Sequence, residues 1–175
     1  MKKIILSIII LIFLTGCSGL YNISNFVLPD DLEFLNIIES LQTPKEICQY
    51  MLANFGIEEH PYTTLTPYEL FLNKKGDCGD FSLFAVFIAN YHDYETYQIL
   101  IKVYPWVFGY PMKHIIGVFK EENGYSISDE RYYIGGIGKY KNTFKEIMDF
   151  NFSETWESYI VYNYDMNIVE KGYNN

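Results

Sequence analysis

The chain predicts an α+β fold, with helices first and an antiparallel sheet after them. Three observations carry this. Between residues 43 and 90, apolar residues recur at helical spacing behind capping residues. Between residues 96 and 129, β-branched and aromatic residues dominate. Glu121-Glu122-Asn123-Gly124 has the composition of a hairpin turn and joins two of those later stretches.

Leu32 to Leu41 reads as a short helix. Thr43-Pro44-Lys45-Glu46 reads as the start of the next, with Thr43 as the cap, Pro44 in the first turn and Glu46 completing a capping box. Ile47, Cys48, Met51, Leu52 and Phe55 follow at helical spacing, and Gly56 stops the helix. On this pattern Cys48 is a small residue of an apolar face. Thr66 to Leu72 is a third helix, broken by Asn73-Lys74-Lys75-Gly76. Asp77 caps a fourth, running from Cys78 to about Asn90. Phe81, Leu83, Phe84, Ala85, Val86, Phe87, Ile88 and Ala89 leave it almost no polar side, as expected of a helix in the middle of a domain. Strands follow at Thr96 to Tyr104, Lys113 to Phe119 and Tyr125 to Asp129. Gly135-Gly136-Ile137-Gly138 reads as a loop, Thr143 to Phe150 as a helix and Trp156 to Tyr164 as the last strand.

The N-terminus reads differently from the rest. Lys2 and Lys3 precede a run, Ile4 to Leu14, that is apolar except for Ser7 and too short to span a bilayer comfortably. Leu14-Thr15-Gly16-Cys17 closes it. That pattern resembles the lipobox of bacterial lipoproteins. The resemblance implies cleavage before Cys17 and a diacylglyceryl group on its sulfur. The expected organisation is a signal peptide over 1–16, a lipidated tether over 17–30 and one domain over 31–175. The expected location is a cell-membrane or outer-membrane surface outside the cytoplasm, with the lipid as the membrane anchor.

A hydrophobic content of 49% in 175 residues fits a folded chain rather than a disordered one. The net charge of −9 becomes more negative once Lys2 and Lys3 leave. Such a surface is a poor partner for nucleic acid, whose binders are usually basic. With Cys17 acylated, Cys48 and Cys78 remain, too few for a disulfide framework. His60, His92 and His114 are scattered and there is no CxxC pair, so neither a metal nor a cofactor is expected.

Chemistry concentrates in Gly76-Asp77-Cys78-Gly79-Asp80-Phe81-Ser82. A thiol in the first turn of a buried helix meets free N–H groups and partial positive charge, which favour thiolate. Those N–H groups can also hold a developing oxyanion, and Gly79 leaves room for a substrate. A thiolate nucleophile needs an imidazole. His114 opens one strand and Asp129 closes the next, so a hairpin turning at Glu122-Asn123-Gly124 sets them side by side, where Asp129 orients His114. Asp77 and Asp80 flank the thiol, with Asp80 read as a first-turn charge that could also help position the site. Trp106, in the loop before His114, is a further lining candidate. His92 lies a whole helix away from Cys78, and His60, before Pro61, reads as a surface turn.

These residues, from about Pro44 to Tyr133, resemble the transglutaminase-like superfamily. The resemblance implies a papain-like core, with the cysteine at the start of a central helix packed on an antiparallel sheet. It also implies Cys78 as nucleophile, His114 as general base and acid, and Asp129 as the orienting residue. The chain departs from the pattern at two places. Glu130 stands where that family often has proline, and Tyr91-His92-Asp93-Tyr94 follows the helix where a glycine is common. The activity implied is thiol-mediated hydrolysis or acyl transfer at an amide, with a peptide or protein substrate such as cell-wall peptide. Two other readings stay open: a lipoprotein that keeps the fold as an inactive binding module, and a structural lipoprotein with a Cys48–Cys78 bridge. The sequence does not indicate an oligomeric state.

Overall fold

The computed structural model describes residues 20–23, 26–60, 63–104, 112–122, 124–136, 143–153 and 155–174. The expected signal peptide, Cys17, Trp106 and Asn123 of the hairpin turn lie outside the described residues. In chain order the elements are α1 (Leu32–Ser40), α2 (Pro44–Asn54), β1 (Gly56–Ile57), α3 (Pro67–Asn73), β2 (Lys75–Gly76), α4 (Cys78–Tyr91), β3 (Glu95–Val103), β4 (Met112–Glu121), β5 (Gly124–Asp129), β6 (Tyr132–Ile134), α5 (Phe144–Phe152), β7 (Trp156–Asn163) and β8 (Ile168–Tyr173). The class is α+β, as expected.

The helix starts follow local chemistry. Thr43, Thr66 and Thr143 cap α2, α3 and α5, each in a reciprocal box with a glutamate three residues on. Asp31 caps α1 and also accepts the Tyr68 hydroxyl at 2.8 Å, which ties α1 to α3. α3 ends at Lys74, a non-glycine in the left-handed region (φ 59°). The Lys74 ammonium sits 3.6 Å from the centre of the Phe71 ring, a cation–π contact over the helix it terminates.

Six antiparallel strands form one sheet in the order β6-β5-β4-β3-β7-β8. Alternation along each strand gives the sheet two faces, and each has its own core. One face carries Ile99, Ile101, Ile116, Val118 and Ile127 and packs with Phe144, Ile147 and Met148 of α5. The other receives α4. There the Gln98 amide donates to Ser82 Oγ at 3.1 Å. Gly117 lets the helix come close, since a Cβ on it would stand 3.3 Å from a Val86 methyl. α4 is buried from Gly79 to Ala89. α1, α2 and α3 surround it with Phe34, Ile38, Ile47, Met51 and Leu70.

Several elements differ from expectation. β6 and β8 had not been read as strands. β6 is three residues long, and β8 is an edge strand whose side chains are largely exposed, so it lacks a clear buried–exposed alternation. β1 and β2 are two-residue strands paired in parallel, too short for any periodicity to show. Leu52, read with the apolar face of α2, is 45% exposed. Within the stretch expected as a tether, Ile23 is buried and Phe26 meets the Phe87 ring edge-on at 5.1 Å. The packed body therefore takes in residues well before Asp31.

Phe84 is fully buried at the middle of α4, against Tyr50 and Phe55. Phe84→Ala is expected to lower unfolding free energy by about 3–5 kcal/mol, read from urea denaturation followed by far-UV circular dichroism.

Candidate active site

The N-terminus of α4 is built from within. Asp77 accepts the N–H groups of Gly79 (2.8 Å) and Asp80 (3.3 Å) through Oδ1. Asp80, with no exposed surface, returns the arrangement by accepting the Asp77 N–H at 2.8 Å. It also accepts the Leu65 N–H at 2.7 Å, and its Oδ2 lies 2.7 Å from His60 Nε2. Burial raises the Asp80 carboxyl above the ordinary carboxylate value. The bonds from His60, Asp77 and Leu65 oppose that rise, and the charge of Asp77 adds to it. His60 is therefore not a surface turn. It pins the segment after β1 to the first turn of α4.

His60, Asp77 and Asp80 bring potential ligand atoms within 4.8 Å of one another. Their oxygens are engaged by N–H donors and by the imidazole, so the cluster serves as a helix cap and loop anchor. Gly76 belongs to the same knot, since a Cβ on it would lie 2.5 Å from Asp80 Oδ2. β1 and β2 complete it: Glu58 N–H donates to Gly76 O at 2.9 Å, beside the exposed Lys75–Glu58 ion pair.

Two sequence readings change here. Of the first-turn N–H groups read as oxyanion donors, Cys78's own among them, those of Gly79 and Asp80 are taken by Asp77. The space left by the absent side chain of Gly79 is occupied by protein, with Thr64 Oγ1 at 3.3 Å and an Ile115 methyl at 3.6 Å from where a Cβ would stand. Gly79 thus allows close packing of α4 on β4.

Cys78 is partly exposed and lines the same cavity as His114, close enough for the charge of each to act on the other. His114 Nε2 lies 2.7 Å from Asp129 Oδ1. The register explains the meeting. Ile116 pairs with Asp129, so His114, two residues back on β4, shares a face with the carboxylate and stands diagonal to it. The hairpin turns where expected, with Glu121 paired to Gly124, whose φ of 113° suits glycine. With Nε2 facing Asp129, the other ring nitrogen is left for the thiol.

Burial disfavours the His114 imidazolium. The hydrogen bonds and charges of Asp129 and Cys78 outweigh that and hold its pKa up to about 10. Burial likewise acts against the Asp129 carboxylate, yet His114 and an amide from Asn151 hold it below the ordinary carboxylate value.

Two residues that the sequence did not point to join this group. Asn151 Nδ2 donates to Asp129 Oδ2 at 3.1 Å, and the Phe152 ring meets His114 edge-on at 5.9 Å. Both come from the last turn of α5, and no local signal ties that turn to a hairpin some twenty residues earlier.

A cavity of about 130 Å³ opens beside Cys78 and His114. Ile57, Phe81 and Met112 supply apolar walls, and Glu59, Glu130 and Lys113 supply charges. Of the flanking candidates, Asp77 lines the cavity, while Asp80 acts behind it through the cap. Glu130 stands at φ 50°. Such left-handed backbone is uncommon outside glycine. The turn is held by the Ser128 hydroxyl, which donates to Glu130 O at 3.1 Å, and by the Arg131 guanidinium, which donates to Phe55 O.

Cys48 and Cys78 are both free thiols. Cys48 is 1% exposed within the helical core, and burial pushes its thiol up to about 11. The chain matches none of the known family models and none of the curated proteins with which it was compared.

Asp80→Ala removes the acceptor from the buried Asp77 N–H, from the part-buried Leu65 N–H and from His60. It is expected to destabilise the fold by about 3 kcal/mol, measured by chemical denaturation at neutral pH. The raised pKa of His114 has its own consequence. Its protonation stabilises the fold fully below pH 6.5, and that contribution is lost as pH rises through about 10. His114→Gln is expected to show a shallower loss of stability across this window than the parent, in denaturation midpoints taken at successive pH values.

Proposed function

We infer that this protein is a cysteine enzyme of the transglutaminase-like class that hydrolyses or transfers acyl groups at amide bonds. The single observation carrying this reading is the His114 imidazole, bonded to Asp129 and set with Cys78 on the wall of one cavity. In the proposed reaction the Cys78 thiolate attacks an amide carbonyl carbon. The C–N bond then breaks, the leaving nitrogen takes a proton from the His114 imidazolium, and a thioester remains on Cys78. Water or a second amine, deprotonated by His114, attacks the thioester and releases the thiol. Asp129 keeps the ring turned so that one nitrogen faces the sulfur throughout. The papain-like arrangement belongs to this proposal. It is supported by the cysteine at the start of a buried helix and by the histidine and aspartate on neighbouring antiparallel strands.

The substrate class proposed is a peptide or protein, with cell-wall peptide as the accessible example for an exported enzyme. Export and anchoring rest on the leader pattern, Lys2-Lys3, the apolar run to Leu14, and Leu14-Thr15-Gly16-Cys17. In this reading the lipid on Cys17 is the anchor. No helix among the described residues is long and apolar enough to cross a membrane. Only five residues lie between Cys17 and the buried Ile23. At about 3.5 Å per residue, the arm from Cys17 is on the order of 20 Å, which would hold the packed body close to the membrane surface.

Iodoacetamide distinguishes the enzyme from its alternatives. In the folded parent, Cys78 is expected to alkylate near neutral pH while buried Cys48 stays unmodified. His114→Ala is expected to slow Cys78 by about tenfold or more. Slow labelling of Cys78 that His114→Ala leaves unchanged would point to an inactive binding module. Loss of both thiols without reductant would point to a Cys48–Cys78 bridge. Anchoring has a separate readout: a radiolabelled fatty acid fed to cells is expected to mark the parent and not Cys17→Ser.

A further inference from the structure

We propose that Asn151 is a positioning residue for the Cys78–His114 pair, acting through the Asp129 carboxylate from the opposite side of the sheet to α4. This rests on the reading of Cys78 and His114 as the reacting pair.

A carboxylate has two oxygens and turns about its own bond unless both are held. Asp129 Oδ1 serves His114, and Oδ2 accepts the Asn151 amide at 3.1 Å. The amide is a directional, neutral donor. It fixes the plane of the carboxylate and adds no charge to compete with the imidazole. The same turn of α5 lays the Phe152 ring against His114. One helix terminus therefore restrains both members of the hydrogen-bonded pair.

The placement has a structural reason. His114 and Asp129 share the sheet face that α5 covers, in line with Ile116, Val118 and Ile127. Cys78 arrives on α4, which packs against the other face. The nucleophile and its imidazole partner thus belong to different packing layers. Among the described residues nothing in the α4 layer holds the far oxygen of Asp129, whereas α5, anchored by Phe144, Ile147 and Met148, reaches it.

The experiment is the pH dependence of Cys78 alkylation by iodoacetamide, using the parent, Asn151→Ala, Asn151→Leu, Asp129→Ala and His114→Ala, with a melting curve for each. Asn151→Leu keeps roughly the side-chain shape and drops the donor, so it preserves packing if the alanine variant does not fold. The expected result is a loss of about tenfold in the alkylation rate near neutral pH for both Asn151 variants. It comes with a shift of the profile to higher pH, in the direction of Asp129→Ala. A purely structural role would lower the melting temperature and leave the profile where it is. Asn151 profiles that overlay the parent, while His114→Ala and Asp129→Ala shift, overturn this proposal alone. A His114→Ala profile that overlays the parent overturns the reacting pair and this proposal together.

Discussion

The structure depends on the burial of α4. A helix enclosed on every side cannot leave its first N–H groups to water, because an unpaired buried donor costs about 1–3 kcal/mol. The capping groups must therefore come from the protein, and they do. Asp77 takes two N–H groups, and Asp80 closes the box and extends it to Leu65 and His60. Two consequences follow for chemistry. Cys78 is fixed in the first turn by the same bonds that stabilise the helix. β1 and the segment that follows it lie across that turn and wall the cavity with Ile57 and Glu59.

The second determinant is the sheet. Alternation along β4 gives one set of side chains to α4 and the other to α5. Ile115 and Gly117 take the first role, and His114, Ile116 and Val118 the second. The cavity therefore forms between two packing layers, with a thiol from one and a histidine–aspartate pair held by the other. The two thiols show how environment rather than residue type sets chemistry. Cys48 lies in the helical core, where burial disfavours its charged form, whereas Cys78 lies at a capped helix end in reach of an imidazole.

Much of this was legible in the residues. Thr43 with Glu46, and Asp77 ahead of Cys78, announced their helix starts because a cap and its N3 partner lie within four residues. The hairpin from His114 to Asp129 was legible for the same reason, since a short turn sets the register of its own strands. What escaped notice was short, exposed or distant. β1 and β2 have two residues each. β8 is an edge strand without a buried face. His60 looked like a surface turn because Asp80, twenty residues on, became its partner only once α4 was packed.

By itself the sequence determined the order of the longer elements up to the last long strand, the helix starts, the hairpin and hence the meeting of His114 with Asp129. All of these are interactions between near neighbours, whose geometry is set by backbone sterics and local hydrogen bonding. The tertiary structure alone decided that Cys78 meets His114, that His60 anchors Asp80 and that Asn151 reaches Asp129. Those contacts join segments about twenty residues or more apart. Their existence depends on which sheet face each helix covers, which is settled by the packing of whole apolar surfaces and by no local pattern.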